Sequence, residues 1–240
     1  MIREHEFNTV WWGSPVGTID DPTFFDLEPN AQDEACESYA WVEYSEQLEA
    51  APDLERIGHA GFYWADTQIR FRINLRNIDS TPSIEKLSVT SAEEAPFAVS
   101  RDELKSFLHE RFRYLPGITS ERLNSRYALW SNLLIADHPA WCLQVSDGSD
   151  VQGWFLAQAD PGKPLKLTLA MLKSDAHISG QLLYQKAMLE FAARGARIGD
   201  AAFSVANTAV MNIYSSLGAR FLHPRGHWLR WIDRSGGANA

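Results

Sequence analysis

Near the C-terminal end, the stretch from Asn207 to Gly218 reads as one short helix with both ends written into the sequence. Asn207 is an N-cap residue, whose side-chain oxygen can take an amide of the first turn. Gly218 stands just past the last turn, where a left-handed residue closes a helix. Val210, Ile213 and Leu217 recur at helical spacing and predict a buried stripe. Asn207, Met211 and Tyr214 fall on a neighbouring face, so a carboxamide and a phenol project in roughly the same direction two turns apart. A helix fixed at both ends also fixes its neighbours: the strand-like run Ile198 to Val205 leads directly into it, and Phe221 to Ile232 follows as a hairpin turning at His223-Pro-Arg-Gly226.

Upstream, Leu165 to Leu172 reads as a strand, Lys173 to Ser179 as a loop, and Leu183, Tyr184, Ala187, Met188 and Phe191 as one face of a helix with Gly195 past its end. Trp141–Val145 and Val151–Ala157 flank a Ser-Asp-Gly-Ser turn and predict a hairpin. Two helices are predicted ahead of it. The first starts at the capping box Ser100-Arg-Asp-Glu103 and continues through Leu104, Phe107, Leu108 and Phe112. The second starts near Ser120, with Leu123, Tyr127, Trp130 and Leu134 on one face. Arg111, Arg113, Arg122 and Arg126 cluster around the Pro116-Gly117 break between them, either solvated or facing an anion.

The N-terminal third is less regular. Residues 7–19 read as a strand broken by Gly13, Pro15 and Gly17, with Trp11 and Trp12 as core anchors. Residues 31–50 carry six acidic side chains and predict an acidic surface helix. Ile69, Phe71, Ile73 and Leu75 alternate with polar residues as a half-buried strand, and the preceding Gly61-Phe62 echoes Leu217-Gly-Ala-Arg-Phe221 near the end of the chain. Residues 76–98 read as a linker, with Ile84 to Thr90 as a candidate edge strand.

Composition narrows the function classes. The formal net charge of −9 opposes nonspecific binding to nucleic acid or anionic membranes, while leaving room for a phosphate held locally by backbone amides. No apolar run has the length of a membrane helix, and the charged start Met1-Ile-Arg-Glu-His-Glu6 lacks a signal peptide's apolar core, so a cytoplasmic chain is expected. Cys36 and Cys142 read as buried thiols, and the seven histidines show no metal-ligand spacing, so no metal is predicted.

The pattern N-x-x-x-x-x-x-Y-x-x-L-G, together with the order helix, helix, three antiparallel strands, helix, strand, helix, strands over residues 97–232, resembles the GNAT acyltransferases. The resemblance implies an α+β (α/β) GNAT acyl-CoA N-acyltransferase fold: a mixed twisted sheet flanked by helices, preceded by a smaller truncated GNAT-like domain. Residues 1–80 would form that first domain, 81–98 the linker, 99–234 the acyltransferase domain and 235–240 a flexible tail. Arg111-Phe112 with Tyr127 and Trp130, the segment Trp11-Trp12-Gly13-Ser14, and Ala60-Gly-Phe62 with Asp66-Thr67 look like the TDP-fucosamine acetyltransferase branch.

The same resemblance implies acetyl-coenzyme A as cosubstrate. Its pantetheine would lie along Ala170, Met171 and Leu172, its pyrophosphate on the amides of Ile178, Ser179, Gly180 and Gln181, and Asn207 would touch it. Tyr214 would be the general acid that protonates the leaving thiolate. The acceptor would be the primary amine of a small molecule, by branch a nucleotide-linked amino sugar, attacking directly with no cysteine acyl-enzyme; a homodimer is allowed. Glu190, Asp200, His223 and His227 are the candidate bases, none of them assigned. One departure stands out: where the family's phosphate loop reads [Q/R]-x-x-G-x-[G/A], this chain has Asp175-Ala-His-Ile-Ser-Gly180, with a carboxylate and a β-branched residue in place of the first basic or amide side chain and the first glycine. That departure supports a rival reading, a noncatalytic pseudo-acyltransferase that binds a ligand or scaffolds a partner.

Overall fold

In a computed structural model that describes residues 1–232, the elements follow in the order β1 (Ile2–Glu4), α1 (Glu6–Trp12), β2 (Val16–Ile19), α2 (Pro29–Cys36), β3 (Trp41–Gln47), α3 (Leu54–His59), β4 (Tyr63–Asn74), α4 (Pro82–Glu85), β5 (Leu87–Ser91), α5 (Ser120–Asp137), β6 (Cys142–Asp147), β7 (Asp150–Gln158), β8 (Leu165–Leu172), α6 (Gly180–Ala193), β9 (Ile198–Ser204), α7 (Thr208–Ser216) and β10 (Arg220–Trp231). The expected tail, 235–240, lies outside the described residues. The chain divides into two units, one of residues 1–68, 109–118 and the stretch from His223 onward, the other of Ile69–Leu108 and Thr119–Leu222.

In the first unit β1, β2, β3 and β10 lie in that order. β1 runs antiparallel to β2, β2 parallel to β3, and β10 antiparallel to β3 from Arg225 to Trp231. Phe24, Phe25, Val42, Tyr44, Ile57, Phe62 and Trp228 fill its core. Three readings of the sequence are corrected here. Residues 6–12 are helix, because His5 caps the first turn and Gly13, at φ 83°, is the left-handed stop of α1, not a bulge in a strand. Of the expected acidic helix over 31–50, only 31–36 is α-helical, as the end of α2. Residues 41–47 form β3, whose first four side chains are all buried, and burial on both faces erases the alternation that marks a half-exposed strand. The expected C-terminal hairpin is one continuous strand, β10, in which Arg225 and Gly226 pair with Gln47 and Glu46 of β3 where a turn was predicted.

In the second unit the order is β4, β9, β8, β7, β6, β5. The strands β5 to β8 form an antiparallel meander, and β9 joins β8 in parallel. α6 packs Leu183, Ala187, Met188 and Phe191 onto one face, with no exposure at any of the four, and α5 sits over the core built on Trp154, Leu156 and Met171. The predicted hairpin, the strand at 165–172, the long helix closed by Gly195 and the strand into α7 are all present.

The stretch read as a linker carries regular structure. Residues 82–85 form α4, and β5 pairs with β6 from Leu87 to Ser91, so the candidate edge strand is part of this sheet. The helix expected over 104–112 is absent as well. The Ser100–Glu103 capping box forms, but closes only a single 3₁₀ turn. Leu104 then bridges Lys173, the Glu103 carbonyl accepts from Ser174 N at 2.7 Å, and Asn124 Nδ2 donates to the carbonyls of Arg101 and Leu104. Backbone groups taken by tertiary partners are no longer available to propagate a helix.

Candidate functional site

The strands β8 and β9 are registered at only two positions, Leu165 with Gly199 and Lys166 with Asp200, although β8 continues to Leu172 and β9 to Ser204. Gly199 permits the close start: a Cβ there would stand 2.7 Å from Leu167 Cδ1. Beyond it the two strands share no registered pair. On its other edge β8 stays paired with β7 through Leu172, with a bulge at Thr168, since Leu156 faces Leu169 and Ala157 faces Leu167. Ala170, Met171 and Leu172 therefore lie on a strand whose β9-side edge has no registered strand partner among the described residues. Met171 is buried against α5, while Ala170 and Leu172 are half-buried on the opposite face.

The loop that follows β8 shows where each amide goes. Lys173 N donates to the Gln152 carbonyl, Ser174 N to Glu103 O, and Ala176 N to Lys173 O. His177 N and Ile178 N both donate to Gln152 Oε1, at 3.0 and 3.4 Å. Ser179 caps α6 by accepting from Leu182 N. The amides of Ser179, Gly180 and Gln181 have no acceptor among the described residues. These three open the positive end of a fourteen-residue helix. Of the four amides expected to hold a pyrophosphate, that of Ile178 is already engaged by Gln152.

Asp175 does not point its charge into this end unopposed. Its carboxylate pairs with Lys173 Nζ at 3.2 Å, and that hydrogen bond holds its pKa below the usual carboxylate range. The neighbouring His177 is paired with Asp147 at 3.0 Å.

α7 stands beside this loop, and Ile213 Cδ1 would be 3.4 Å from a Cβ at Gly180. Asn207 caps α7, accepting from Val210 N at 3.2 Å, and Gly218 ends it at φ 77°. The buried side chain of α7 is Tyr214 itself, and the predicted stripe of Val210, Ile213 and Leu217 is only half-buried around it. The Tyr214 ring packs on Phe71 at 3.8 Å between centroids, and on Tyr184 and Phe203 at 5.2 and 5.6 Å. Burial, and then the neighbouring Tyr184, push its pKa well above that of a free phenol, so it is protonated at neutral pH.

The candidate bases are dispersed. Glu190 is paired with Arg194 at 2.9 Å and Asp200 with Arg70 at 3.6 Å in the second unit. In the first unit His223 pairs with Glu49, and His227 is buried with both ring nitrogens unpartnered. Burial, with Arg111 and Arg225 nearby, lowers the His227 pKa to about 2. Of the four clustered arginines, Arg111 belongs to the first unit, where it pairs with the buried Glu43 at 3.3 Å, and Arg126 is buried in the second over the Trp130 ring. Both cysteines are free and buried, with the Cys142 thiol pushed up to about 12. Reading the sequence alone missed Gln152 and Lys173. The signal for Gln152 was a polar side chain in an otherwise apolar strand, where its burial demands partners.

No family model matches the sequence, and no curated protein does. Solved structures do match the architecture. A GCN5-related N-acetyltransferase from Sphaerobacter thermophilus aligns over 83% of this chain at 16% identity and a TM-score of 0.52, and one from Kribbella flavida over 92% at 11% identity and 0.53. A tandem GNAT protein from the clavulanic acid biosynthesis pathway aligns over 93% of this chain and 77% of its own, at 12% identity and 0.54. The fold is that of the GNAT N-acetyltransferases. The chain spans 64% of the Sphaerobacter protein and 83% of the Kribbella one, and the tandem neighbour matches the two-part arrangement. β8 parts from β9 before Ala170–Leu172, and α6 opens at Gly180.

Proposed function

We propose that the chain is an acyl-CoA-dependent N-acyltransferase acting on a primary amine of a small molecule. The observation that carries the reading is the parting of β8 and β9 next to three free amides at the start of α6. The free edge of Ala170–Leu172 suits an extended amide-bearing chain, and the amides of Ser179, Gly180 and Gln181 suit an anion. Bound there, acetyl-coenzyme A would supply an activated acyl thioester.

The chain's own groups account for the remaining chemistry. Strand amides near Ala170–Leu172 polarise the acyl carbonyl, as oriented donors do wherever negative charge develops on oxygen. Tyr214 would offer its hydroxyl to the departing sulfur. A phenol held above its normal pKa keeps its proton until charge builds on that sulfur, so it acts as a hydrogen-bond donor first and as an acid only as the bond to the acyl carbon breaks. The proton lost by the amine balances the one gained by the thiol. Direct attack fits the two buried thiols, which are poor nucleophiles when kept protonated. Resemblance to the TDP-fucosamine branch makes a nucleotide-linked amino sugar the first acceptor to try.

Tyr214→Phe tests the mechanism. Turnover should fall about a hundredfold, the scale of lost general-acid catalysis, while affinity for acetyl-coenzyme A and the far-UV spectrum stay the same. Full turnover of a folded variant would remove Tyr214 from the chemistry. The altered loop at Asp175–Gly180 favours the second reading, a noncatalytic binding module; absence of a thermal shift at millimolar acetyl-coenzyme A would select it.

A further inference from the structure

The buried side chain that organises the loop before α6 is Gln152 of β7, which takes the amide of Ile178, the residue that stands in place of the usual loop glycine. Gln152 is 2% exposed, and both of its side-chain polar atoms are hydrogen-bonded. Oε1 accepts from His177 N and Ile178 N, and Nε2 donates to the Asp150 carbonyl at 3.2 Å. Its backbone carbonyl accepts from Lys173 N as well, so one residue of β7 ties down both ends of the loop. The neighbouring Gly153 allows β7 to approach closely: a Cβ there would lie 2.3 Å from the Met171 carbonyl oxygen.

A loop can hold a phosphate with its own amides only if those amides are oriented and the rest of the loop is fixed. Glycine achieves this through backbone freedom. Ile178 lacks that freedom. Here an external amide oxygen gathers the amides of His177 and Ile178, and the next three, Ser179 to Gln181, keep no acceptor among the described residues at the start of α6. The Lys173–Asp175 pair sits on the same loop and cancels the carboxylate that would otherwise oppose an anion.

We propose that Gln152 is the positioning residue for cofactor recognition: it holds the loop so that the Ser179–Gln181 amides discriminate the diphosphate-bearing coenzyme from its phosphate-free arm. The inference rests on the acyl-carrier reading above. It concerns orientation of the loop, because Gln152 itself is enclosed and spends its polar atoms within the protein.

The test compares binding of acetyl-coenzyme A and S-acetylpantetheine to the full chain by calorimetry. The native chain should favour the coenzyme strongly. Gln152→Leu, which leaves two amides unpaired, should weaken acetyl-coenzyme A at least tenfold and S-acetylpantetheine less than twofold, so the ratio between them collapses. Gln152→Glu provides the control if the leucine variant folds poorly. A protonated carboxyl can accept the two amides and donate to Asp150 O as the carboxamide does, so the ratio should recover as the pH is lowered from 8 to about 5. Equal weakening of both ligands, or an unchanged ratio in both variants, would overturn the role of Gln152 alone. Failure of the native chain to bind either ligand would instead remove the acyl-carrier reading and this inference together.

Discussion

His227 is the most exacting single residue in the first unit. It lies opposite Ser45 on β10, 7% exposed, with neither ring nitrogen hydrogen-bonded and with Arg111 and Arg225 close enough to oppose a further positive charge. A ring held neutral by burial and by two nearby arginines is a weak base near pH 7, which counts against this candidate. It should also make the protein acid-sensitive. The folded chain keeps this ring neutral while the unfolded chain protonates it near pH 6.5, so its contribution is complete above that pH and is lost as pH falls toward 2. The slope is about 1.4 kcal/mol per pH unit within that window. His227→Phe should therefore lose about 3 kcal/mol less stability than the native chain between pH 7 and pH 4, read from urea midpoints. Equal losses in the two proteins would mean that the ring titrates normally.

At the scale of elements, the pair β7–β8 bears the candidate site, and its closeness depends on Gly153. A methyl group at that position would meet the backbone of Met171 and Leu172, atoms that cannot swing aside as a flexible side chain can. Gly153→Ala should cost about 1–3 kcal/mol and weaken acetyl-coenzyme A binding, because the strand displaced is the one that carries Ala170–Leu172. An unchanged denaturation midpoint would show that the strands part without cost. Elements with their own signals were legible beforehand. α6 and α7 each carry a cap, a periodic apolar face and a closing glycine within their own residues. The failures were segments whose local signal was outvoted. The capping box at Ser100 promised a helix, yet Lys173, Ser174 and Asn124 claimed the following backbone. The acidic run at 41–47 looked like a solvated helix, yet Glu43 is buried against Arg111 and the strand is covered on both faces.

Across the whole molecule, two parallel registers, one in each unit, differ from one another. In the second unit β8 and β9 part after two registered residues, while in the first all four residues of β2 are registered with β3, from Val16–Trp41 to Ile19–Tyr44. Gly17, at the centre of that register, has Ile2, Tyr39 and Val42 packed where a Cβ would be. A closed parallel pair has no free backbone edge to offer an extended ligand. Calorimetric titration should therefore give one acetyl-coenzyme A per chain, and two equivalents would contradict the difference between the pairs. The sequence by itself determined the strand, loop, helix, strand, helix succession from Leu165 to Gly218, because caps, glycine stops and apolar periods act over a few residues. It also placed Asn207 as a cap and set Ile178 to Gln181 at a helix start. Only the tertiary structure decided that Tyr214 is the buried member of its helix, that β10 runs straight through His223–Gly226, and that Ile178 gives its amide to Gln152. Those outcomes depend on partners tens of residues away, and a hydrogen-bond donor or an aromatic ring carries no local mark of which distant group will claim it.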